Sequence, residues 1–152
     1  KNVNFDRNPA SMINILVQIP LEKIGYHFLH KPLLVGGRAK EYYGIRKSGD
    51  DIDLIISKED YENLKKADPN HTVDLFGDLG IKIHGFELWT SITRFDYEYL
   101  SERALEEENI KIISLEKLLF LTALAMDKPK YHKDLEMIVA HIMKEKYPDI
   151  II

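Results

Sequence analysis

The sequence predicts an α+β (mixed α/β) fold, a small mixed sheet flanked by helices, with further helices toward the C-terminal end. Short apolar runs bounded by glycine, proline and aspartate indicate strands in the first two-thirds of the chain, mixed with helical segments. From Ser114 onwards the apolar residues recur at helical spacing. We therefore expect a single domain over residues 1–152, with its sheet at about 31–113 and a helical part at about 114–148.

Helices and strands alternate along the first half of the chain. Ser11 is a candidate N-cap for a first helix, and Pro20 either ends that helix or opens a second one through Ile24 and Phe28. The apolar run at 32–35 predicts a short buried strand. The elements expected next are a helix through Ala39 and Tyr43 that stops at Gly44, a strand at 52–56, and a helix from the Ser57–Asp60 capping box to Ala67.

The second half is predicted to contain longer elements. The expected order is a turn at 68–71, a short strand at 72–76, a long strand at 81–92, a helix at about 97–107 and a strand at 110–113. Gly85 is interpreted as a bulge within the long strand. Ser114 is the expected N-cap of an apolar helix at 115–126, and Pro129 opens a last amphipathic helix.

Composition excludes several classes of protein. The chain has 152 residues and no cysteine, so a disulfide framework and thiolate metal sites are excluded. No stretch approaches the roughly 20 apolar residues needed to span a bilayer, and we expect a cytoplasmic protein without membrane contact. The net charge of -4 and the scattered lysines argue against an extended nucleic-acid footprint. A small phosphate-bearing substrate remains compatible with this charge.

The first informative motif is a glycine pair, Gly36-Gly37, between the strand predicted at 32–35 and the following helix. Glycines let the backbone approach a phosphate closely, and a helix N-terminus presents free N–H groups to an anion. A plain turn would contain the same residues. Arg46 and Ser48 lie in the connection to the next strand, and each is either a surface loop residue or a phosphate contact.

The second motif is Asp51-Ile-Asp53, which leads into the strand predicted at 52–56. Alternation along a strand places both carboxylates on one face and Ile52 on the other. Two carboxylates so close together suit a hard cation such as Mg²⁺, and without a cation they repel each other. A solvated strand end could also contain this pair. The aspartate pair follows the glycine pair after one short helix, and this order of motifs favours a site for metal and phosphate.

This order of motifs resembles the nucleotidyltransferase fold of the DNA polymerase beta superfamily. Within it, the chain is most similar to small bacterial nucleotidyltransferase-like proteins related to the AbiEii abortive-infection toxins. The family pattern is a glycine–serine or glycine–glycine pair, a spacer, an Asp-x-Asp and a third carboxylate on a later strand. The third match is the segment 87–92, which begins with Glu87. Together with segments 112–119 and 133–135, the similarity runs from about Leu33 to Ile138.

The resemblance implies that Asp51, Asp53 and Glu87 are the metal-binding and catalytic carboxylates. It also implies that Gly36 and Gly37 lie against the triphosphate. Two features depart from the family pattern. The second glycine stands where many relatives have serine, and the third carboxylate is a glutamate rather than the more usual aspartate.

Two positions remain open in this comparison. Thr122 stands where relatives often have a lysine, and Lys133 either supplies the missing positive charge or is an exposed helix residue. Asp74 is the alternative third carboxylate, although the longer strand and the flanking residues favour Glu87. We expect Phe86 and Trp89 to be core residues rather than base-stacking platforms.

The resemblance predicts a nucleotidyltransferase that uses Mg²⁺ or Mn²⁺ and a nucleoside triphosphate. Asp51, Asp53 and Glu87 would hold the metal, while the glycine pair, with Arg46, Ser48 and Lys133, would bind the nucleotide. The acceptor is not readable from the sequence, and RNA, a protein or a small molecule all fit. The alternative is a catalytically degenerate domain that binds a nucleotide or a partner protein, for example in a toxin–antitoxin pair.

Overall fold

The main sheet lies at the centre of the protein, whose computed structural model describes residues 19–149. It contains seven strands: β1 (Leu33–Val35), β2 (Ile52–Ile55), β3 (Thr72–Leu75), β4 (Asp78–Ile83), β5 (Phe86–Trp89), β8 (Leu105–Glu106) and β9 (Lys111–Ile112). A separate two-stranded sheet consists of β6 (Ser91–Ile92) and β7 (Phe95–Asp96). The helices are α1 (Gly36–Tyr42), α2 (Lys58–Ala67), α3 (Tyr97–Leu100), α4 (Leu115–Leu124) and α5 (Lys130–Lys146). The predicted α+β class is confirmed.

The strand order in the main sheet is β3-β4-β5-β2-β1-β9-β8. Strands β2 and β5 are parallel, as are β1 and β9, and the other neighbours are antiparallel. The central position of β1 and β2 explains their apolar sequences, because central strands are covered on both faces. Leu33, Leu34 and Leu54 are fully buried there. β2 is therefore the middle strand of the sheet, and Asp53 stands near its start.

Two predicted helix caps are confirmed. The Ser57 hydroxyl accepts a hydrogen bond of 3.0 Å from the backbone N–H of Asp60 and begins α2. The Ser114 hydroxyl accepts one of 3.1 Å from the N–H of Lys117 and begins α4. Each hydroxyl satisfies an N–H group that the first helical turn leaves without a partner.

The long strand predicted at 81–92 is wrong, because the chain reverses direction within it. His84 and Gly85 have φ angles of 52° and 84°, and they form the turn between the antiparallel strands β4 and β5. Gly85 is therefore a turn residue and not a bulge. The apolar residues on both sides gave the segment the pattern of one continuous strand.

The helix predicted at 97–107 is also shorter than expected. It ends at Leu100, and Arg103 has a left-handed φ of 60°, which an α-helix cannot accommodate. Leu105 and Glu106 instead extend to pair with β9 at the edge of the sheet. Pairing with a neighbouring strand overrides the local helical spacing.

The N-terminal predictions are tested only in part. The first predicted helix falls largely outside residues 19–149. After Pro20 the chain forms a 3₁₀ turn at Leu21–Ile24, which ends at Gly25 and does not reach Phe28. No helix between residues 19 and 149 has the length and apolar character needed to cross a bilayer.

Candidate functional site

A row of charged side chains crosses the sheet at the start of β2. Asp53 on β2 pairs directly with Glu87 on the parallel strand β5. Glu87 in turn pairs with Lys82 on β4. Residues that pair directly across neighbouring strands project from the same face of a sheet, so the two carboxylates lie side by side. The structure therefore brings together two of the three predicted carboxylates.

The Asp53 carboxyl is electrostatically strained. Burial, and then the negative charges of Glu87 and Asp51, raise its pKa from 3.8 to about 6. Lys82 and Lys40 oppose this shift without cancelling it. The carboxyl therefore lies in a place that favours an added positive charge.

Asp51 and Asp74 occupy different places relative to this pair. Asp51 is exposed directly before β2, and its charge contributes to the raised pKa of Asp53. Asp74 lies on β3, which β4 and β5 separate from β2. It is exposed and accepts a 2.8 Å hydrogen bond from the N–H of Gly77. The carboxylate beside Asp53 is thus Glu87, as expected, and not Asp74.

The glycine pair lies at the junction between β1 and α1. Gly36 has a left-handed φ of 66°, and a Cβ atom there would lie only 2.5 Å from Oδ2 of Asp53. Gly37 is not left-handed, and a Cβ there would lie 3.2 Å from Cβ of Ser48. The pair therefore lets the backbone touch the aspartate on one side and the connecting loop on the other.

Alanine at Gly36 is expected to destabilise the protein by about 1–3 kcal/mol, because it combines a left-handed φ with a collision. Gly25→Ala is the matched control. Gly25 has a similar φ of 74°, but nothing lies within 4 Å of its added Cβ. Urea unfolding of both variants would separate the contact with Asp53 from backbone strain alone. Equal losses of stability would show that the contact is unimportant.

Arg46, whose Nη1 atom would lie 3.7 Å from a Cβ atom on Gly37, is bound to Asp134 on α5. Its Nε and Nη2 atoms donate to the two Asp134 oxygens at 2.7 and 3.0 Å. The Lys40 ammonium on α1 donates to the same carboxylate at 2.7 Å, and both Lys40 and Asp134 are buried. This cluster of two cations and one anion fixes α5 against α1.

The remaining predicted ligands, Ser48 and Lys133, lie in the loop before β2 and on α5. Ser48 is half-buried and donates a 2.8 Å hydrogen bond to the carbonyl of Gly49. Lys133 is exposed on α5, while Thr122 is buried and donates to the carbonyl of Leu118. The buried cation near the carboxylates is thus Lys40 rather than Lys133.

The carboxylate pair lies at a cavity of about 260 Å³. Its charged lining residues include Lys40, Asp53 and Glu87, and Gly36 lies between β1 and α1 at the same wall. The half-buried Trp89 also lines it, and its Nε1 donates to Glu87 at 3.3 Å. Trp89 therefore packs against the core and also lines the cavity, whereas Phe86 is fully within the core.

The predicted third carboxylate does not join Asp53 and Glu87 in a group that could hold a metal ion. Among residues 19–149, no three or more His, Asp or Glu side chains form a group that could hold a metal ion. Asp53 and Glu87 supply a pair, and Asp51 is exposed just before β2. The metal site stays a prediction.

Sequence reasoning missed Lys40 and Asp134, although both left a signal. Lys40 stands four residues after Gly36, which places the two on the same side of a helix. Asp134 stands four residues before the buried Ile138, so it shares the inward face of α5. A charged residue on a buried face indicates a buried partner. The partner itself could not be read from the sequence.

Fold and cavity define an α+β protein with paired carboxylates beside a glycine-mediated strand-to-helix junction. Comparison of the chain with protein-family models, curated proteins and solved structures found no match to any of them.

Proposed function

We propose that the chain is a metal-dependent nucleotidyltransferase, which transfers a nucleoside monophosphate from a nucleoside triphosphate to a hydroxyl group. The observation that carries this proposal is the direct pairing of Asp53 and Glu87 on β2 and β5. The contact between Gly36 and Asp53 supports it, because it brings the glycine pair to the carboxylates. The acceptor is RNA, a protein or a small molecule, and the proposal includes a cytoplasmic location.

The side chains fit a divalent cation. Burial and neighbouring negative charge both disfavour an ionised Asp53, and a bound cation would relieve the two effects together. Asp53 and Glu87 would hold Mg²⁺ or Mn²⁺, with Asp51 as a third ligand at the strand end. When bound, the metal would neutralise charge on the phosphate oxygens.

The protein's own residues would position the substrates and accept a proton. The acceptor oxygen forms a bond to the α-phosphorus as the bond to pyrophosphate breaks, and Glu87 takes the hydroxyl proton. Gly36 and Gly37 bring the backbone of the β1–α1 junction against Asp53 and Ser48, so phosphates bound at this junction would lie beside the carboxylates. Lys40, which is buried at the cavity wall and bound to Asp134, would contribute a fixed positive charge to the electrostatic field at the phosphates.

A second candidate is a domain that binds nucleotide or a partner protein without catalysis, as in a toxin–antitoxin pair. One observation favours it. Arg46, a predicted phosphate contact, is already bound through two hydrogen bonds to Asp134. In this case a nucleotide with Mg²⁺ would bind without turnover.

The test is incubation with each of the four α-labelled nucleoside triphosphates, Mg²⁺ and total cellular RNA, followed by detection of label transfer. Glu87→Gln should reduce transfer by at least about a hundredfold, the scale of a lost proton acceptor. Asp74→Asn is the matched control and should retain transfer, since asparagine still accepts the N–H of Gly77. Equal transfer by wild type and Glu87→Gln would refute the role of the pair. Binding of nucleotide without transfer to RNA, proteins or small hydroxyl compounds would favour the second candidate.

A further inference from the structure

Two tight turns meet at the edge of the cavity. The β3–β4 turn contains Phe76 and Gly77, with φ angles of 53° and 97°. The β6–β7 turn contains Thr93 and Arg94, with φ angles of 51° and 67°. Left-handed conformations at both central positions are typical of type I′ hairpin turns, which favour asparagine, aspartate and glycine.

Three of these four residues are unsuited to their backbone conformation. Phe76, Thr93 and Arg94 are among the five non-glycine residues with positive φ between residues 19 and 149. Threonine is the most strained of them, because a β-branched side chain crowds a left-handed backbone. Residues held in such conformations cluster at ligand sites, where the surrounding structure maintains them.

Asp78 connects the two turns. Its carboxylate accepts hydrogen bonds of 2.8 Å from the backbone N–H groups of Thr93 and Arg94, and one of 2.7 Å from the Ser91 hydroxyl. These contacts hold the β6–β7 turn against the start of β4. Asp78 and Ser91 also line the cavity, so the connection lies at the cavity edge.

Arg94 is held directly beside the Phe76 backbone. Its Nε atom donates a 3.3 Å hydrogen bond to the carbonyl of Phe76. A Cβ atom on Gly77 would collide with the Arg94 guanidinium, so the glycine makes room for this side chain. The Arg94 guanidinium therefore lies next to the Phe76 backbone, on the surface that the two turns form.

This surface presents an aromatic ring and a cation to solvent. The Phe76 residue is 92% exposed, and Arg94 is exposed as well. Leu75 and Ile92, which flank the two turns, line the cavity. An exposed phenylalanine adds nothing to the core, and its position favours other residue types. Its ring is suited to stacking on a planar ligand, and guanidinium is suited to phosphate.

We propose that Phe76 and Arg94 form a nucleotide-binding site at the cavity edge, with the base stacked on Phe76 and a phosphate paired with Arg94. The choice of a nucleotide as ligand rests on the proposed function, but the residues are separate from the Asp53–Glu87 pair. A free nucleotide and the end of a single-stranded RNA share this chemistry.

The test uses the full chain without divalent metal, titrated with AMP, CMP, GMP and UMP and with a short single-stranded RNA. Phe76→Asn should weaken binding about tenfold or more, the scale of one lost stacking contact. Its urea midpoint should stay level or rise, because asparagine is favoured at this turn position. Phe76→Trp should retain binding. A higher affinity for the RNA than for the mononucleotides would show that the site binds an RNA acceptor. A higher affinity for the mononucleotides would show that it binds the donor nucleotide.

Arg94→Gln tests the phosphate contact. It should weaken binding of AMP and leave binding of adenosine unchanged, because adenosine has no phosphate for the guanidinium to contact. Arg103→Gln, which changes another exposed arginine with a left-handed backbone, should bind AMP like wild type. The assay contains no divalent metal, so a failure of catalysis leaves this site standing. Unchanged affinity of Phe76→Asn, or no nucleotide binding by wild type, would overturn the proposal. The second result would favour a protein partner for the surface.

Discussion

Replacing Asp53 with asparagine is expected to stabilise the metal-free protein at neutral pH by roughly 2–3 kcal/mol. Burial and the charges of Glu87 and Asp51 raise the pKa of Asp53 in the folded chain from 3.8 to about 6. The folded protein therefore holds this proton more tightly than the unfolded chain. Wild-type stability should fall as the pH rises through this interval and remain lower above it. Asparagine, which does not ionise, removes the loss.

Urea unfolding across this pH range, in the presence of a chelator, measures the effect. The two proteins should have similar stability near pH 4, separate as the pH approaches 6, and differ by a constant amount above it. Glu62→Gln, which changes an exposed carboxylate on α2, should follow the wild-type profile. Added Mg²⁺ should narrow the gap by stabilising wild type alone. A difference between Asp53→Asn and wild type that is the same at every pH would contradict the raised pKa.

The local elements around the site were predictable because short-range rules determine them. Ser57 and Ser114 each cap the helix that directly follows them in the chain. The strand before the glycine pair follows from its apolar run. The shared face of Asp51 and Asp53 stays a prediction, because β2 begins at Ile52 and Asp51 lies before it. Each of these features depends on residues close together in the chain.

The pairing of strands could not be predicted in the same way. Asp53 lies beside Glu87 because β2 pairs in parallel with β5, although the two residues are 34 positions apart. The flanking sequence suggested Glu87, but no local pattern specifies the register. The turn at His84 and Gly85 was hidden for the same reason, since only the pairing of β4 with β5 reveals it.

The positions of the lysine and arginine side chains depend on contacts between residues that are still further apart in the chain. Arg46 is bound to Asp134, 88 residues later in the chain, and no local pattern specifies this contact. Lys133, next to Asp134, is exposed because the adjacent helical position points in another direction. The cation at the cavity is Lys40, which is buried and bound to Asp134, 94 residues later in the chain.

The largest loss of stability is expected for Asp134→Leu, about 3–5 kcal/mol. Burial raises the pKa of Asp134, but hydrogen bonds from Arg46 and Lys40 outweigh it and the net pKa is lowered. Burial lowers the pKa of Lys40, and the Asp134 carboxylate partly restores it. Removing the carboxylate leaves a buried ammonium without its anion, which is more costly than the loss of a surface ion pair.

Lys40→Met is the matched comparison, because it leaves Asp134 with its two hydrogen bonds from Arg46. It should cost clearly less than Asp134→Leu. The double variant should be more stable than Asp134→Leu alone, since it no longer buries an unpaired ammonium and fills the space with apolar atoms. Destabilisation by Asp134→Leu should also shrink toward high pH, where Lys40 loses its proton more readily in the folded variant than in the unfolded chain. Urea unfolding of the four proteins at pH 7 and pH 9.5 gives all of these values. A cost below about 1 kcal/mol for Asp134→Leu would mean that water reaches this cluster and that the ions contribute as surface pairs do.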